Sequence, residues 1–332
     1  MNLKPGLYDQ LVDELLKTHL GALPAQRLCA DVSTVDPGEL PDRLREVLGE
    51  WVREALAAVP ESERHHAAFD LSRAVHDAII EFQAEALETG RRIPPSGLGG
   101  YSKVQRLTAV EPLAPTDEPI HITRPLTPLR DTVLMTNSRG QPSVGKEIQT
   151  EIQSADRIDL ILAFIRWSGI RDLKPHFKRH VESGRRLRVI TTTYTGTTER
   201  RALQELVDIG GEVKVSYDTS TTRLHAKAWL FQRNTGFSTV YIGSSNLTHS
   251  AQVTGLEWNV RASQRRNPEL IAAFQRTFET YWEDAYFEPF DPERFASATL
   301  ASQGISPILT PFQIEPYPFQ RQILERLRVD RR

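Results

Sequence analysis

Five polar side chains suited to acid–base or nucleophilic chemistry cluster in one short stretch of the sequence. His225 and Lys227 stand two positions apart in or beside a predicted strand, and the two-residue period of a strand places both on one face. Ser244 and Asn246 follow a glycine where the next predicted strand ends, and Glu257 opens the strand after it. An imidazole can act there as nucleophile or acid, an ammonium can bind phosphate oxygens, and a carboxylate can hold an imidazole in one tautomer. This combination is typical of phosphodiester chemistry.

The order HxK, GSxN and Glu resembles the HKD motif of the phospholipase D superfamily, whose smallest members are bacterial endonucleases. The resemblance implies that His225 attacks phosphorus to form a covalent phosphohistidine, and that a second histidine protonates the leaving oxygen. It further implies that Lys227, Ser244 and Asn246 bind the non-bridging oxygens and that Glu257 orients His225. The resemblance implies neither a metal ion nor another cofactor.

The chain contains one copy of this motif, whereas a complete site of the superfamily needs two. We therefore expect a homodimer in which His225 of each subunit faces the other across a twofold axis. Arg223, two positions before the histidine, is expected to contact a backbone phosphate. Phospholipase-type members often have an aspartate five residues after the lysine, and Gln232 occupies that position here. The substitution argues against a role for this aspartate but leaves the roles of His225 and Lys227 unaffected.

Longer segments resemble, more narrowly, the nuclease region that precedes the motor in bacterial superfamily 2 helicases. These segments are TTTYTGTTERRAL, YDTSTTRLHAKAWLF and GLEWNVRAS. Residues 312–327 are similar to the stretch that precedes the ATP-binding loop in such motors, although they also fit a plain terminal helix. The resemblance therefore implies a helicase domain or subunit as a partner.

Composition limits the remaining classes of protein. The chain has 332 residues, of which 39% are hydrophobic and 25% charged, as in a folded globular protein rather than a disordered one. No apolar stretch is long enough for a membrane span, and the N-terminus lacks the hydrophobic core of a signal peptide. Cys29 is the single cysteine, which excludes an internal disulfide and fits a reducing cytoplasm. We expect a cytoplasmic protein that does not bind membranes.

Charge is divided unevenly along the chain. Residues 1–90 contain 8 Lys and Arg against 17 Asp and Glu, and the rest of the chain contains 33 against 26. Because a polyanion is attracted by local charge, nucleic acid, with DNA as the expected substrate, would bind to the second part. Phospholipid hydrolysis or transfer is the alternative among enzymes. A non-catalytic module that binds DNA or positions a helicase is the alternative outside them.

The hydrophobic pattern divides the chain into four parts. Residues 1–90 show apolar positions at three- and four-residue steps and are predicted to form a small helical domain. Residues 91–141 are rich in proline and glycine, which favours a linker or an extended wrap. Residues 142–292 alternate between helix and strand, and we predict an α/β fold of the phospholipase D type, an α-β-α sandwich. Residues 293–332 are predicted to be a linker and the possible start of a helicase domain.

Within the α/β part, the periodicity predicts individual elements. Predicted strands cover residues 158–164, 187–192, 213–217, 226–231, 239–242 and 258–262, with a further short strand at 132–136. Predicted helices cover residues 146–154, 170–183, 198–209 and 268–282.

Other motifs receive structural interpretations. His176 and Lys178 also spell HxK and His180 follows four residues after His176, but this pattern is helical and we predict a solvated surface. The segment GQPSVGKE, residues 140–147, nearly matches a phosphate-binding loop, yet its last residue is a glutamate, so we predict a helix start capped by Ser143. The five tryptophans are predicted to fill cores, with Trp167 as a possible lining of the cleft.

Overall fold

The fold comes from a computed structural model that describes residues 3–89, 105–136, 143–194, 196–217, 224–248 and 257–304. The strands in these ranges are β1 (Gly6–Leu11), β2 (Leu28–Thr34), β3 (Gln105–Pro112), β4 (Val133–Met135), β5 (Arg157–Leu162), β6 (Arg186–Thr192), β7 (Glu212–Ser216), β8 (Lys227–Gln232), β9 (Thr239–Gly243), β10 (Asn259–Ser263) and β11 (Phe287–Pro289). The helices are α1 (Glu14–Gly21), α2 (Leu40–Ala57), α3 (Arg64–Thr89), α4 (Val144–Ser154), α5 (Trp167–Ile170), α6 (Lys174–Glu182), α7 (Arg200–Asp208), α8 (Pro268–Glu283) and α9 (Pro292–Gly304).

An eight-stranded mixed sheet forms the centre of the protein, with the strand order β11-β7-β6-β5-β8-β9-β10-β4. Strands β5, β6 and β7 pair in parallel, and the other neighbours pair antiparallel. Strands β5, β6, β7 and β9 therefore end at the same edge of the sheet at which β8 and β10 begin. We call this the site edge, because the HxK, GSxN and Glu motifs all lie along it.

Helices cover both faces of this sheet. One face packs on α4, α6 and α7 through a core that includes Ile148, Phe177 and Leu203. The other face packs on α8 through Phe274 and Phe278. The predicted α/β class and the α-β-α sandwich are confirmed. In the described part of the chain, no helix combines the length and apolarity required to cross a bilayer.

The predicted elements of the α/β part agree with the structure, with one exception. The helix predicted over residues 170–183 is two helices, α5 and α6, and Pro175 lies in the first turn of α6. A proline in the interior of a continuous helix would remove a hydrogen bond and clash with the preceding turn. At the first turn it costs nothing, so the chain ends one short helix and starts the next.

The N-terminal part differs from the prediction of a purely helical domain. Leu7 and Leu11 lie in β1, and β1 and β2 both pair with β3 in a three-stranded sheet. Two leucines four residues apart satisfy the period of a strand as well as that of a helix. The choice between them depends on pairing with β3, about a hundred residues away in sequence, which local periodicity does not reveal.

The proline-rich segment is held against the rest of the fold at several points. Its residues 105–112 form the central strand of the three-stranded sheet. Further along, the buried carboxylate of Glu147 accepts hydrogen bonds from the backbone N–H groups of Leu126 and Thr127 at 2.9 and 2.8 Å. The predicted short strand at 132–136 is confirmed as β4. The domain boundaries themselves remain predictions.

A buried ionic cluster joins α4 to the sheet behind these contacts. Glu151 accepts hydrogen bonds from Arg233, from Thr239 Oγ1 at 2.8 Å, from Tyr241 OH at 3.0 Å and from Arg261 Nε at 3.1 Å. All five side chains are buried. Burial alone would raise the pKa of Glu151, but the charges of the two arginines outweigh it and lower the pKa from 4.5 to about 2.

The residues that resemble a phosphate-binding loop begin a helix, as predicted. Helix α4 starts at Val144, and Ser143 caps it by accepting a hydrogen bond from Lys146 N at 3.3 Å. The carboxylate of Glu147 is engaged by backbone amides and is not available to a nucleotide. Residues 140–142, and the segment 312–327 that resembles the entry to a helicase motor, lie outside the described residues.

Candidate active site

The catalytic histidine predicted from the sequence lies at the site edge, immediately before β8. His225 is exposed, and its ring packs edge-on against the ring of Phe164, with centroids 5.7 Å apart. Lys227 Nζ lies 3.2 Å from His225 Nδ1 and 3.4 Å from Nε2, and it donates to the backbone carbonyl of His225 at 3.2 Å. An ammonium can only donate, so an imidazole nitrogen is the acceptor. The ammonium of Lys227 is therefore hydrogen-bonded to the imidazole of His225.

The surroundings of Lys227 change its basicity. Burial lowers the pKa of Lys227 below its usual value, and the nearby charge of Glu257 opposes this by raising it. The ammonium also lies 5.7 Å from the centroid of the Phe164 ring, a cation–π contact. Phe164, which the sequence did not single out, thus supports both members of the pair.

The GSxN segment follows β9 at the same edge. Strand β8 lies between β5 and β9, but past its first residue the segments that follow β5 and β9 contact each other directly. There, Leu247 N donates to the carbonyl of Phe164 at 3.2 Å. Asn246 Oδ1 accepts a hydrogen bond from Phe164 N at 3.2 Å. Among the described residues its Nδ2 has no hydrogen-bond partner. The two serines differ, since Ser244 is exposed and Ser245 is buried with its hydroxyl bonded to Asn259 Nδ2 at 2.7 Å.

Glu257 lies at the site edge but contacts a different residue from the one predicted. Its carboxylate accepts a hydrogen bond from the hydroxyl of Ser244, whereas no hydrogen bond joins it to His225. Strand β9 lies between β8 and β10, so the starts of the two outer strands are two strand spacings, roughly 10 Å, apart. Glu257 instead raises the pKa of Lys227 through its charge and accepts the hydrogen bond of the Ser244 hydroxyl. Arg223 lies outside the described residues.

Gln232 has no place at this site. It lies at the far end of β8, where its side-chain amide donates to Asp159 and its Oε1 accepts from Gln275 Nε2 at 3.0 Å. In this chain, the side chain five residues after the lysine therefore forms hydrogen bonds at the opposite edge of the sheet.

The second HxK pair lies on α6, away from the site edge. Lys178 is exposed and paired with Glu182 at 3.6 Å, as predicted for a surface helix. The prediction is wrong for His180, which is buried with its Nε2 bonded to the backbone carbonyl of Arg186 at 3.1 Å. His176 is half-buried. Across the described residues, no three His, Cys, Asp or Glu side chains lie close enough together to hold a metal ion.

The five tryptophans differ in burial. Trp229 and Trp282 are buried in the two cores, as predicted. The prediction is wrong for Trp51 and Trp258, which are 42% and 65% exposed. Trp167 is half-buried beneath the guanidinium of Arg201, 4.2 Å from the ring centroid. Trp258 follows Glu257 directly, so the exposed ring lies at the site edge.

Gly243 is required where β9 meets the site. A Cβ at this position would lie 2.1 Å from the carbonyl oxygen of Trp258 and 2.5 Å from Asn259 Oδ1. We expect Gly243→Ala to displace the start of β10 and to reduce the free energy of unfolding by about 1–3 kcal/mol. Thermal unfolding measures this. Gly49→Ala is the matched control, because a Cβ at Gly49 meets nothing within 4 Å and helix propensity favours alanine there. Equal melting temperatures for the two variants would contradict the steric argument.

The pH dependence of activity is expected to depend on Glu257. Its carboxylate favours the charged form of Lys227, so Glu257→Gln is expected to lower the Lys227 pKa further. If the charged ammonium binds phosphate, the alkaline decline of kcat/KM will begin at a lower pH in Glu257→Gln than in the wild type. The pH profile of kcat/KM measures this, with Glu212→Gln at the opposite edge as control. An unchanged alkaline limb, or one moved to higher pH, would contradict the assignment.

Comparison with known proteins adds to this geometry. Residues 148–282 match the family model described as cardiolipin synthase, PLD-like domain. Among curated proteins, none matches the chain. Similar solved structures include Nuc from Salmonella typhimurium, a phospholipase D family member, with 17% identity and a TM-score of 0.37 over 48% of this chain and 99% of that one. NucT from Helicobacter pylori has 14% identity and a TM-score of 0.39, over 48% of this chain and 99% of that one. Phosphatidylserine synthase from Haemophilus influenzae Rd KW20 has 11% identity and a TM-score of 0.35, over 52% of this chain and 44% of that one.

The matched region begins in α4 and ends in α8, so it contains the central strands of the sheet and the HxK and GSxN motifs at its edge. The family model, the α-β-α sandwich and the motif positions agree with one another. Residues 148–282 of this chain match the model of a phospholipase D-like domain.

Proposed function

We propose that the protein is a metal-independent nuclease that hydrolyses phosphodiester bonds of nucleic acid, with DNA as the expected substrate. The observation that carries this proposal is the pairing of His225 with Lys227, whose Nζ lies 3.2 Å from a ring nitrogen, at the same edge of the sheet as the side-chain amide of Asn246. An exposed imidazole next to a fixed cation and neutral donors can attack a phosphate and stabilise the added charge. The excess of basic residues after residue 90 favours a polyanionic substrate over a lipid.

The proposed reaction has two displacements. In the first, a nitrogen of His225 attacks phosphorus, the P–N bond forms, and the bond from phosphorus to the leaving oxygen breaks. A second imidazole, protonated at the start, gives its proton to that oxygen. In the second step, water attacks phosphorus, the P–N bond breaks, and the second imidazole takes the proton from water. Lys227 and Asn246 bind the non-bridging oxygens, with Arg223 as a proposed backbone-phosphate contact, and Glu257 keeps the Ser244 hydroxyl in place.

The second imidazole is proposed to be His225 of another copy of the chain, which makes the active form a homodimer with a twofold axis at the site edge. The exposure of His225 supports this, because a shared site must be open to a partner. A helicase domain or subunit as a further partner is proposed from the sequence resemblance alone. Sedimentation measures the mass in solution, and a strict monomer that still cleaves would contradict the shared site.

The substrate class is tested with a panel of substrates in excess chelator. Purified protein is incubated separately with plasmid DNA, with single-stranded oligonucleotides and with phospholipid vesicles. The proposal predicts nucleic-acid cleavage that survives the chelator and no release of lipid head groups. Head-group release without nucleic-acid cleavage would favour a lipid phosphodiesterase, to which the name of the family model points. Binding of DNA without any cleavage would favour a non-catalytic module.

A further inference from the structure

Trp167 holds an arginine that has no carboxylate partner. The guanidinium of Arg201 lies 4.2 Å from the centroid of the Trp167 ring. Stacking on an aromatic ring fixes the plane of a guanidinium and leaves the N–H groups at its edge free to donate. Arg201 is exposed, and among the described residues no carboxylate lies within 4 Å of its guanidinium. A cation that is held in place without a counter-ion is suited to bind an anion from outside the chain.

Two further arginines extend this positive charge. Arg166 follows the end of β5 and Arg200 opens α7, and both are exposed and form no ion pair within the described part of the chain. We call Arg166, Arg200 and Arg201 the arginine surface. The other cations of this region differ, because they are paired: Arg171 with Asp172 at 3.1 Å, and Lys174 with Glu205.

The arginine surface lies on the same side of the sheet as the pair of His225 and Lys227. Along β8, Lys227 and Trp229 are two residues apart and therefore share one face of the strand. Trp229 belongs to the core under α4, α6 and α7, and Trp167 packs against that same core. The stacked arginine and the proposed catalytic lysine are thus not separated by the sheet.

A short stretch of chain connects this surface to the proposed site. The Phe164 ring packs on the ring of His225 with centroids 5.7 Å apart. Trp167 is three residues further on, so its Cα lies at most about 11 Å from that of Phe164. Glu199 fastens the start of α7 to this stretch, since its N–H donates to the carbonyl of Ile165 at 2.9 Å and its carboxylate accepts from Trp167 N at 2.8 Å. The arginine surface therefore begins next to the residue that packs on His225.

We propose that the arginine surface binds phosphates of the substrate strand that flank the one at His225, with Arg201 as the principal contact. A strand of nucleic acid carries one phosphate per nucleotide, so a strand with its scissile phosphate at His225 can present the neighbouring phosphates to this surface. A guanidinium can bind a phosphate through two parallel hydrogen bonds. Such contacts position the strand without reading its bases. This inference rests on the proposed function, because it takes the position of the scissile phosphate from His225.

The test measures binding without cleavage, in proteins that all carry His225→Ala. Their affinities for a single-stranded oligonucleotide and for a fully abasic oligomer of the same length are determined over a range of salt concentrations. We expect Arg201→Gln to weaken binding of both oligomers equally, by roughly 3- to 30-fold, and to reduce the slope of log affinity against log salt by about 0.7, the value of one phosphate contact. Arg201→Lys should keep the slope, because it keeps the charge. Arg186→Gln removes an exposed arginine at the opposite edge of the sheet and is the matched control, with no expected effect.

Two further measurements support the test. Arg200→Gln should also reduce the salt slope, and it replaces Arg201→Gln if that variant does not fold, since Arg200 has no side-chain partner in the described part of the chain. In proteins that retain His225, Arg201→Gln should raise KM rather than lower kcat. The reason is that a flanking phosphate is bound equally in the ground state and in the transition state.

Other outcomes would overturn the inference. An unchanged salt slope in Arg201→Gln would show that the guanidinium contacts no phosphate. A loss confined to the oligonucleotide would assign the contact to bases, and an equal loss in Arg186→Gln would assign it to total charge. If the wild type cleaves nucleic acid in chelator but Arg201→Gln binds both oligomers normally, the inference fails and the nuclease stands. If Arg201 is needed for binding but nothing is cleaved, the nuclease fails and the phosphate contact stands.

Discussion

Replacement of His225 by alanine is expected to reduce the rate of phosphodiester cleavage at least about a thousandfold, the loss typical of removing a nucleophile that forms a covalent intermediate. Among the described residues, no other imidazole lies at the site edge to take over the attack. The loss should appear in kcat, because Lys227 and Asn246 would still bind the phosphate. Single-turnover cleavage in excess chelator is the appropriate measurement.

A matched control for this variant lies in the same chain. His176→Ala removes the histidine of the other HxK pair, on α6, and should leave cleavage unchanged. His225 is exposed, so His225→Ala should change the free energy of unfolding by less than about 0.5 kcal/mol. Loss of activity in His225→Ala together with loss of folding would leave the catalytic role unsupported, and equal losses in the two variants would contradict it.

Replacement of Glu151 by glutamine is expected to cause the largest loss of stability. The variant removes the charge that compensates Arg233 and Arg261, whose side chains are only 1% and 0% exposed. Removing one member of a buried ionic cluster typically costs about 3–5 kcal/mol, a large part of the stability of an ordinary domain. Urea unfolding at neutral pH measures the loss. Glu212→Gln, which breaks the exposed pair with Arg186, is the control and should cost less than about 1 kcal/mol. A similar small cost for Glu151→Gln would contradict the assignment.

The same cluster predicts how acid affects the wild type. The pKa of Glu151 is lowered from 4.5 to about 2, so the stability that its charge provides is present above pH 4.5 and is lost as the pH falls toward 2. In Glu151→Gln this contribution should be missing at every pH. The unfolding free energies of the two proteins should therefore converge between pH 4.5 and 2.

The central part of the protein could be predicted from the sequence because its signals are local. The strands around His225 and Glu257 are short apolar runs with polar residues at their ends, and each run predicts a strand by itself. Strands β8, β9 and β10 are consecutive in sequence and adjacent in the sheet, so the strand ends that carry the three motifs lie along one edge. The sequence alone does not show that β9 lies between β8, which follows His225, and β10, which follows Glu257.

The features missed by the sequence depend on contacts between distant segments. Leu7 and Leu11 belong to a strand only because β3 pairs with it. His180 lies on a helix with a polar sequence, yet it is buried, and the backbone carbonyl of Arg186 accepts its ring N–H. The exposure of Trp258 depends on where α8 ends its cover of the sheet, and no pattern in the sequence marks that point.

The stereochemistry of cleavage tests the proposed double displacement on His225 most directly. Each in-line attack inverts phosphorus, so a substrate carrying a chiral phosphorothioate and hydrolysed in isotopically labelled water distinguishes one displacement from two. Attack by His225 followed by attack by water predicts overall retention of configuration. Overall inversion would show that water attacks the phosphodiester directly, and would contradict the covalent role assigned to His225.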